Sequence, residues 1–143
     1  SSVMYRSALA KQVGGYPQDV TYSQDYSFIL KIAQRSEVGM IESVLCKLRS
    51  GATSMTRDSS LRLIRAQEEL RLLREARQML RLSPQAARRN RHRQAVAKLK
   101  MGLALMSTSH FMTGIGYLVS AIVTNPRALI DNGFIYRHLG TRR

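Results

Sequence analysis

Apolar residues recur along this chain with two rhythms. In residues 1–56 they come in short runs. Val3-Met4-Tyr5 is a brief β-prone stretch, and Ser7 to Val13 predicts one or two helical turns. Gly14-Gly15 stops them, since glycine takes the left-handed conformation after a helix without a Cβ clash. Tyr16-Pro17 begins a loop through Asp19 and Thr21. From Gln24 to Gln34, Phe28, Ile29, Ile32 and Ala33 fall on one helical face. Ser23 precedes them as an N-cap whose side-chain oxygen can accept from the first free amides. Val38 to Ile41 and Val44 to Leu48 predict two strands around Glu42-Ser43.

From Arg57 onward the rhythm is helical. Asp58 or Ser59 can cap a helix whose stripe runs Leu63, Ala66, Leu70, Leu73, Ala76 and Leu80. Ser83-Pro84 ends it and opens a second helix, with proline suited to the first position. That helix carries Arg88, Arg89, Arg91 and Arg93 early and Val96, Leu99, Leu103 and Met106 later. A third shows Phe111, Ile115, Leu118 and Ile122 at helical spacing, a stripe suited to packing on the Leu-rich helix. Asn125-Pro126 interrupts it, and a short final helix from Arg127 leads to Gly133 and a basic tail.

Composition adds charge to this picture. The 143 residues carry 23 Lys and Arg against 9 Asp and Glu, a net +14. The segment from Arg57 to Lys100 holds 13 of the basic residues and 4 of the acidic ones. Such a surface favours polyanions: nucleic acid, anionic lipid headgroups or phosphorylated substrates. A solvated helical face is the plainer reading of the same run. The single Cys46 cannot form an internal disulfide, which fits a reducing compartment. Its apolar neighbours predict a buried thiol.

Several motifs of residues 1–56 occur in a fixed order: Ser2-Val3-Met4-Tyr5-Arg6, Val13-Gly14-Gly15-Tyr16, Gln24-Asp25-Tyr26, then Val44-Leu45-Cys46-Lys47-Leu48-Arg49. This order resembles the acceptor-side half of family 2 glycosyltransferases. The resemblance implies an α/β fold of GT-A type, present only as its C-terminal part and therefore mainly α-helical with a few short strands. It implies that residues 1–56 are that part and residues 57–143 a basic helical extension. It also implies sugar transfer with inversion, from a nucleotide-diphosphate-sugar donor to an acceptor hydroxyl, in cell-surface polysaccharide or glycolipid synthesis.

On that resemblance Asp25 is the catalytic base. Inverting transfer needs a base near the acceptor hydroxyl, opposite the leaving nucleotide. The positive end of the helix macrodipole favours its ionised form. An acid in a first helical turn also serves helix stability alone. Gly14, Gly15, Tyr16, Tyr22 and Gln24 would line the acceptor side, and Arg49 would face the donor diphosphate. The family's usual Glu-Asp pair is here Gln24-Asp25, its second acid is Ser27, and its metal-associated histidine falls at Gly51. The resemblance implies a divalent cation, Mg²⁺ or Mn²⁺, held mostly by residues outside this chain. Without the nucleotide-binding half the chain would not turn over.

Other signals point elsewhere. Gly14-Gly15 lacks the pattern of a phosphate-binding loop, and His92, His110 and His138 lack ligand spacing for zinc. Met101 to Thr124 is free of charged residues, but Ser107-Thr108-Ser109-His110 in its middle argues against a span. Peripheral attachment to an anionic membrane surface through the basic helices suits the charge, and with it a cytoplasmic location at the inner face of the membrane. The rival is a basic helical module without catalysis that binds nucleic acid through Arg88-Arg89-Asn90-Arg91-His92-Arg93, or other proteins through a Leu63 to Leu80 seam.

Overall fold

In the computed structural model, residues 3–47 and 61–130 are described. The chain divides into two compact units, residues 1–59 and 60–143, against an expected division after residue 56. The described residues taken together are mainly helical, most of the helix lying in the second unit.

In the first unit, α1 (Ser7–Gln12) and α2 (Gln24–Ala33) are joined by a loop. The Gly14 amide donates to the Lys11 carbonyl (3.1 Å) and the Gly15 amide to the Ala10 carbonyl (3.0 Å). Both glycines have positive φ, 80° and 69°. This is a Schellman ending, in which two free carbonyls of α1 find donors. Phe28, Val13 and Ile32 form the core, with Leu9 and Ala10 against it.

The expected strands are not formed. Among the described residues there is no strand; residues 3–6 and 37–47 are extended, bent or irregular and exposed. An extended segment becomes a strand only when a neighbour takes its amides and carbonyls, and none of the described segments does so here. Cys46 is accordingly exposed rather than buried.

The second unit is built from α3 (Arg62–Met79), α4 (Pro84–Met106), α5 (Phe111–Thr124) and a 3-10 turn (Pro126–Leu129). Ser83 caps α4, its hydroxyl accepting from the Ala86 amide at 3.2 Å, with Pro84 at the first helical position as expected. The expected caps of α3, Asp58 and Ser59, lie outside the described residues.

Side-chain pairs fix the helix directions. Asn90 Nδ2 donates to the Leu73 carbonyl (2.9 Å) and Lys100 Nζ to Glu69 (2.9 Å), so α4 runs back along α3. Lys98 Nζ donates to Ser120 Oγ (2.9 Å) and Thr124 Oγ1 (2.7 Å), and Asn125 lies against His92 (3.4 Å), so α5 runs back along α4. One core cluster joins Ala95, Leu99, Ala121 and Ala128; another joins Ala66, Leu70, Ala97 and Met101, with Tyr117 packed on it.

The face α5 buries differs from the expected stripe. Gly114 and Ala121 are buried and Leu118 packs on the core, whereas Phe111 and Ile122 are exposed. The principal partner of α5 is α4 rather than the Leu-rich α3. The large apolar residues Phe111, Met112, Val119, Ile122 and Val123 share one face of α5 and stay exposed, while the opposite face of Gly114, Ser120, Ala121 and Thr124 packs on α4. The close approach that glycine permits, rather than hydropathy, chooses the buried face. No helix among the described residues is long and apolar enough to cross a membrane.

Candidate functional site

Asp25 occupies the second position of α2, one turn ahead of buried Phe28. Ser23 stands at the N-cap position, but its side chain makes no capping bond there. Asp25 supplies part of what that cap would have given, since its Oδ1 accepts from the Tyr26 amide at 2.8 Å. The expected hydroxyl cap is therefore replaced by a carboxylate, which satisfies a first-turn amide and meets the helix dipole with negative charge. Asp25 is exposed, and no ion pair engages it among the described residues. Its second oxygen is left to face solvent.

Aromatic rings assemble beside it. Tyr16 stacks on Phe28 with centroids 4.5 Å apart and planes at 27°, while Tyr5 meets Phe28 edge-on at 5.0 Å and 80°. Phe28 is 1% exposed and Tyr16 46%. The buried ring thus anchors two tyrosines whose polar ends reach water, an arrangement suited to amphipathic side chains. A hydrogen bond with the Tyr5 hydroxyl holds the Tyr16 phenol above its ordinary value; desolvation and the charges of Tyr5 and Asp25 add to it. Tyr5, Tyr16 and Asp25 therefore share one electrostatic neighbourhood, although the sequence separates them widely. Nothing in the sequence around Tyr5 marks it for a site; its place in a β-prone run conceals that its ring meets Phe28.

The remaining expected site residues fall as follows. Gly14 and Gly15 shape the loop that delivers Tyr16 to Phe28, and no atom lies within 4 Å of where a Cβ would stand on either. Gln24 opens α2 beside Asp25, and Tyr22 is half-buried in the loop before it. Arg49 and Gly51 lie outside the described residues. A groove of about 1140 Å³ in the same unit is lined by Met4, Leu9, Ile32, Arg35, Val38 and Met40 among others. None of Gly14, Gly15, Tyr16, Tyr22, Gln24 or Asp25 lines it. Tyr5 does line it, so the groove and the neighbourhood of Tyr16 and Asp25 adjoin at that ring.

For a divalent cation, three or more acidic, histidine or cysteine side chains would have to converge, and among the described residues no such group exists. The described residues therefore do not fit a metal site of their own. His92 is engaged by Asn125, and His110 precedes α5.

In the second unit the arginine-rich segment is divided by the fold. Asn90 is buried, bonded to the Leu73 carbonyl and accepting from Gln94 Nε2 at 2.6 Å. Arg93 turns to Glu69 at 3.5 Å, while Arg88, Arg89 and Arg91 face solvent. No family model, curated protein or solved structure matches the chain.

Proposed function

We propose that residues 3–47 belong to the acceptor side of a family 2, GT-A-fold inverting glycosyltransferase, with Asp25 as its general base. The observation that carries this reading is the state of Asp25: exposed, free of cations among the described residues, and bonded to the Tyr26 amide through one oxygen only. That bond fixes the carboxylate's orientation and leaves Oδ2 to receive the proton of an acceptor hydroxyl. As the hydroxyl oxygen attacks the anomeric carbon, the bond to the nucleotide diphosphate breaks on the opposite face. The proton passes to Asp25.

Tyr16 and Tyr5 offer hydroxyl groups and partly exposed ring surface beside the carboxylate, which suits contact with a sugar. The uncovered apolar segment 38–47 also supports the reading, because such a segment in a GT-A domain would pair within a sheet. The acceptor would be a glycan or lipid-linked sugar, and a divalent cation would be held by residues other than those described here.

The test is Asp25→Asn in the full-length protein, followed by sugar transfer from labelled UDP- and GDP-hexoses to membranes of the producing cell. Asparagine keeps an oxygen for the Tyr26 amide, so α2 is preserved. Transfer is expected to fall by about 10²–10⁴ with nucleotide-sugar binding nearly unchanged. Transfer within about twofold of wild type would remove Asp25 as base.

A further inference from the structure

One end of the second unit gathers cations without free acids. There α3 finishes, α4 begins and α5 finishes. Arg77 and Arg81 stand at the end of α3, Arg88, Arg89 and Arg91 at the start of α4, and Arg127 just past α5; all are exposed. From Ala76 to Ile130 the sequence has no Asp or Glu. The unit's described acids are on α3 and already engaged. Glu69 holds Arg93 and Lys100, Glu75 holds Arg71 at 2.8 Å, and Glu68 has a partner too. Asp131 follows in the sequence, outside the described residues; among the described residues the positive field at this end is uncompensated.

Beside these arginines the unit leaves apolar side chains uncovered. Val123 is 81% exposed and Ile130 80%, and Val119 and Ile122 continue the same surface along α5. We infer that this end of the second unit docks on an anionic lipid bilayer surface. Its arginines lie at headgroup level, and Val123 and Ile130 reach the acyl boundary. The two halves of the surface select that occupant together. A nucleic-acid duplex matches the arginines but presents only phosphate, sugar and base edges to Val119, Ile122, Val123 and Ile130. A bilayer interface supplies negative headgroups and hydrocarbon within one interfacial layer. The inference stands independently of the chemistry assigned to Asp25.

The experiment uses the 143-residue chain with phosphatidylcholine vesicles, with and without phosphatidylglycerol, read by co-sedimentation. Binding is expected only to the vesicles containing phosphatidylglycerol. The triple variant Arg81→Gln, Arg88→Gln, Arg89→Gln lowers partitioning by about a hundredfold at low salt, roughly fivefold per charge. The double variant Val123→Ser, Ile130→Ser loses binding at physiological salt. In a Cys46→Ser background, an environment-sensitive dye on Val123→Cys shifts to the blue with anionic vesicles, whereas the same dye on exposed Gln67→Cys does not. This last readout keeps the wild-type surface cations in place, so a misfolded arginine variant cannot decide the matter. Equal binding to neutral and anionic vesicles, or no shift at Val123→Cys, overturns the inference. So does duplex DNA that displaces the protein from vesicles with full affinity for the Val123→Ser, Ile130→Ser variant.

Discussion

Gly102 of α4 and Gly114 of α5 meet backbone to backbone. A Cβ placed on Gly114 would stand 2.8 Å from the Gly102 carbonyl oxygen and 3.0 Å from the Met106 amide nitrogen. Neither atom can swing away as a side-chain tip would. Gly114→Ala must therefore separate the two helices, at about 1–3 kcal/mol for an overpacked contact. Alanine's better helix propensity returns up to about 1 kcal/mol of that. Net loss is expected, visible as a lower melting temperature of the second unit.

Gly116 supplies the internal control. It lies in the same helix, is exposed, and a Cβ there meets nothing within 4 Å. Gly116→Ala should raise stability by about 0.5–1 kcal/mol through propensity alone. Opposite signs in paired thermal melts would confirm that the helix contact, rather than glycine content, sets the effect. Two destabilised variants would refute the contact as the cause.

Asn90 is the buried polar hinge of the α3–α4 pair. Its Nδ2 donates to the Leu73 carbonyl and its Oδ1 accepts from Gln94. Asn90→Ala removes both bonds and leaves the Leu73 carbonyl only the longer Gln94 bond from α4, at a cost of about 1–3 kcal/mol. Denaturant unfolding is the measurement; a change below about 0.5 kcal/mol would show that Gln94 alone, already 3.4 Å from that carbonyl, replaces it.

The tyrosine pair makes a prediction about pH. The Tyr16 phenol is raised, first by its hydrogen bond with Tyr5. A group raised in the folded state contributes stability that is fully present below its unfolded value and lost as pH rises through the folded one. Stability of the first unit should fall as alkali ionises Tyr16. In Tyr5→Phe, phenolate absorbance should show Tyr16 titrating closer to its ordinary value of 10.0. An unchanged titration would mean that the hydroxyls do not bond.

Lys98 predicts the opposite slope in the second unit. Burial, and after it the charge of Arg74, lowers its ammonium below the ordinary 10.5. The unfolded chain then binds the proton more tightly, so stability rises as pH climbs through the lowered folded value toward the ordinary one. Lys98→Met should flatten that rise in pH-dependent melts while leaving Ser120 and Thr124 in place. Thr124 keeps its bond to the Ser120 carbonyl at 2.7 Å. A rise as steep in the variant as in wild type would assign it to another group.

Local chemistry was readable wherever its cause is local. Gly14-Gly15 ends α1 because only glycine takes two successive positive φ angles without strain, whatever packs nearby. Ser83-Pro84 opens α4 because the free hydroxyl and the fixed proline φ act within one turn. Most of the stripe on α3 followed from its period, with Ala66, Leu70, Leu73 and Ala76 buried as expected; buried Leu72 was missed because it sits off that stripe. Asp25 was legible as an acid opening a helix, for the same local reason.

What the tertiary structure decided depends on partners distant in sequence. The extended runs 38–41 and 44–47 have strand-forming residues, yet no described neighbour takes their hydrogen bonds, so strand character in the sequence produced no sheet. Hydropathy pointed α5 to the face of Phe111, Val119, Ile122 and Val123, yet the helix buries the opposite face, with Gly114 and Ala121. The Gly102–Gly114 approach chose it, since dispersion and close packing reward the face where two backbones can touch. Tyr5, Tyr16 and Phe28 belong to three separate segments, and only folding brought their rings together. Helix starts and stops are written in neighbouring residues; faces and pairings are written in shapes that exist only once the chain is folded.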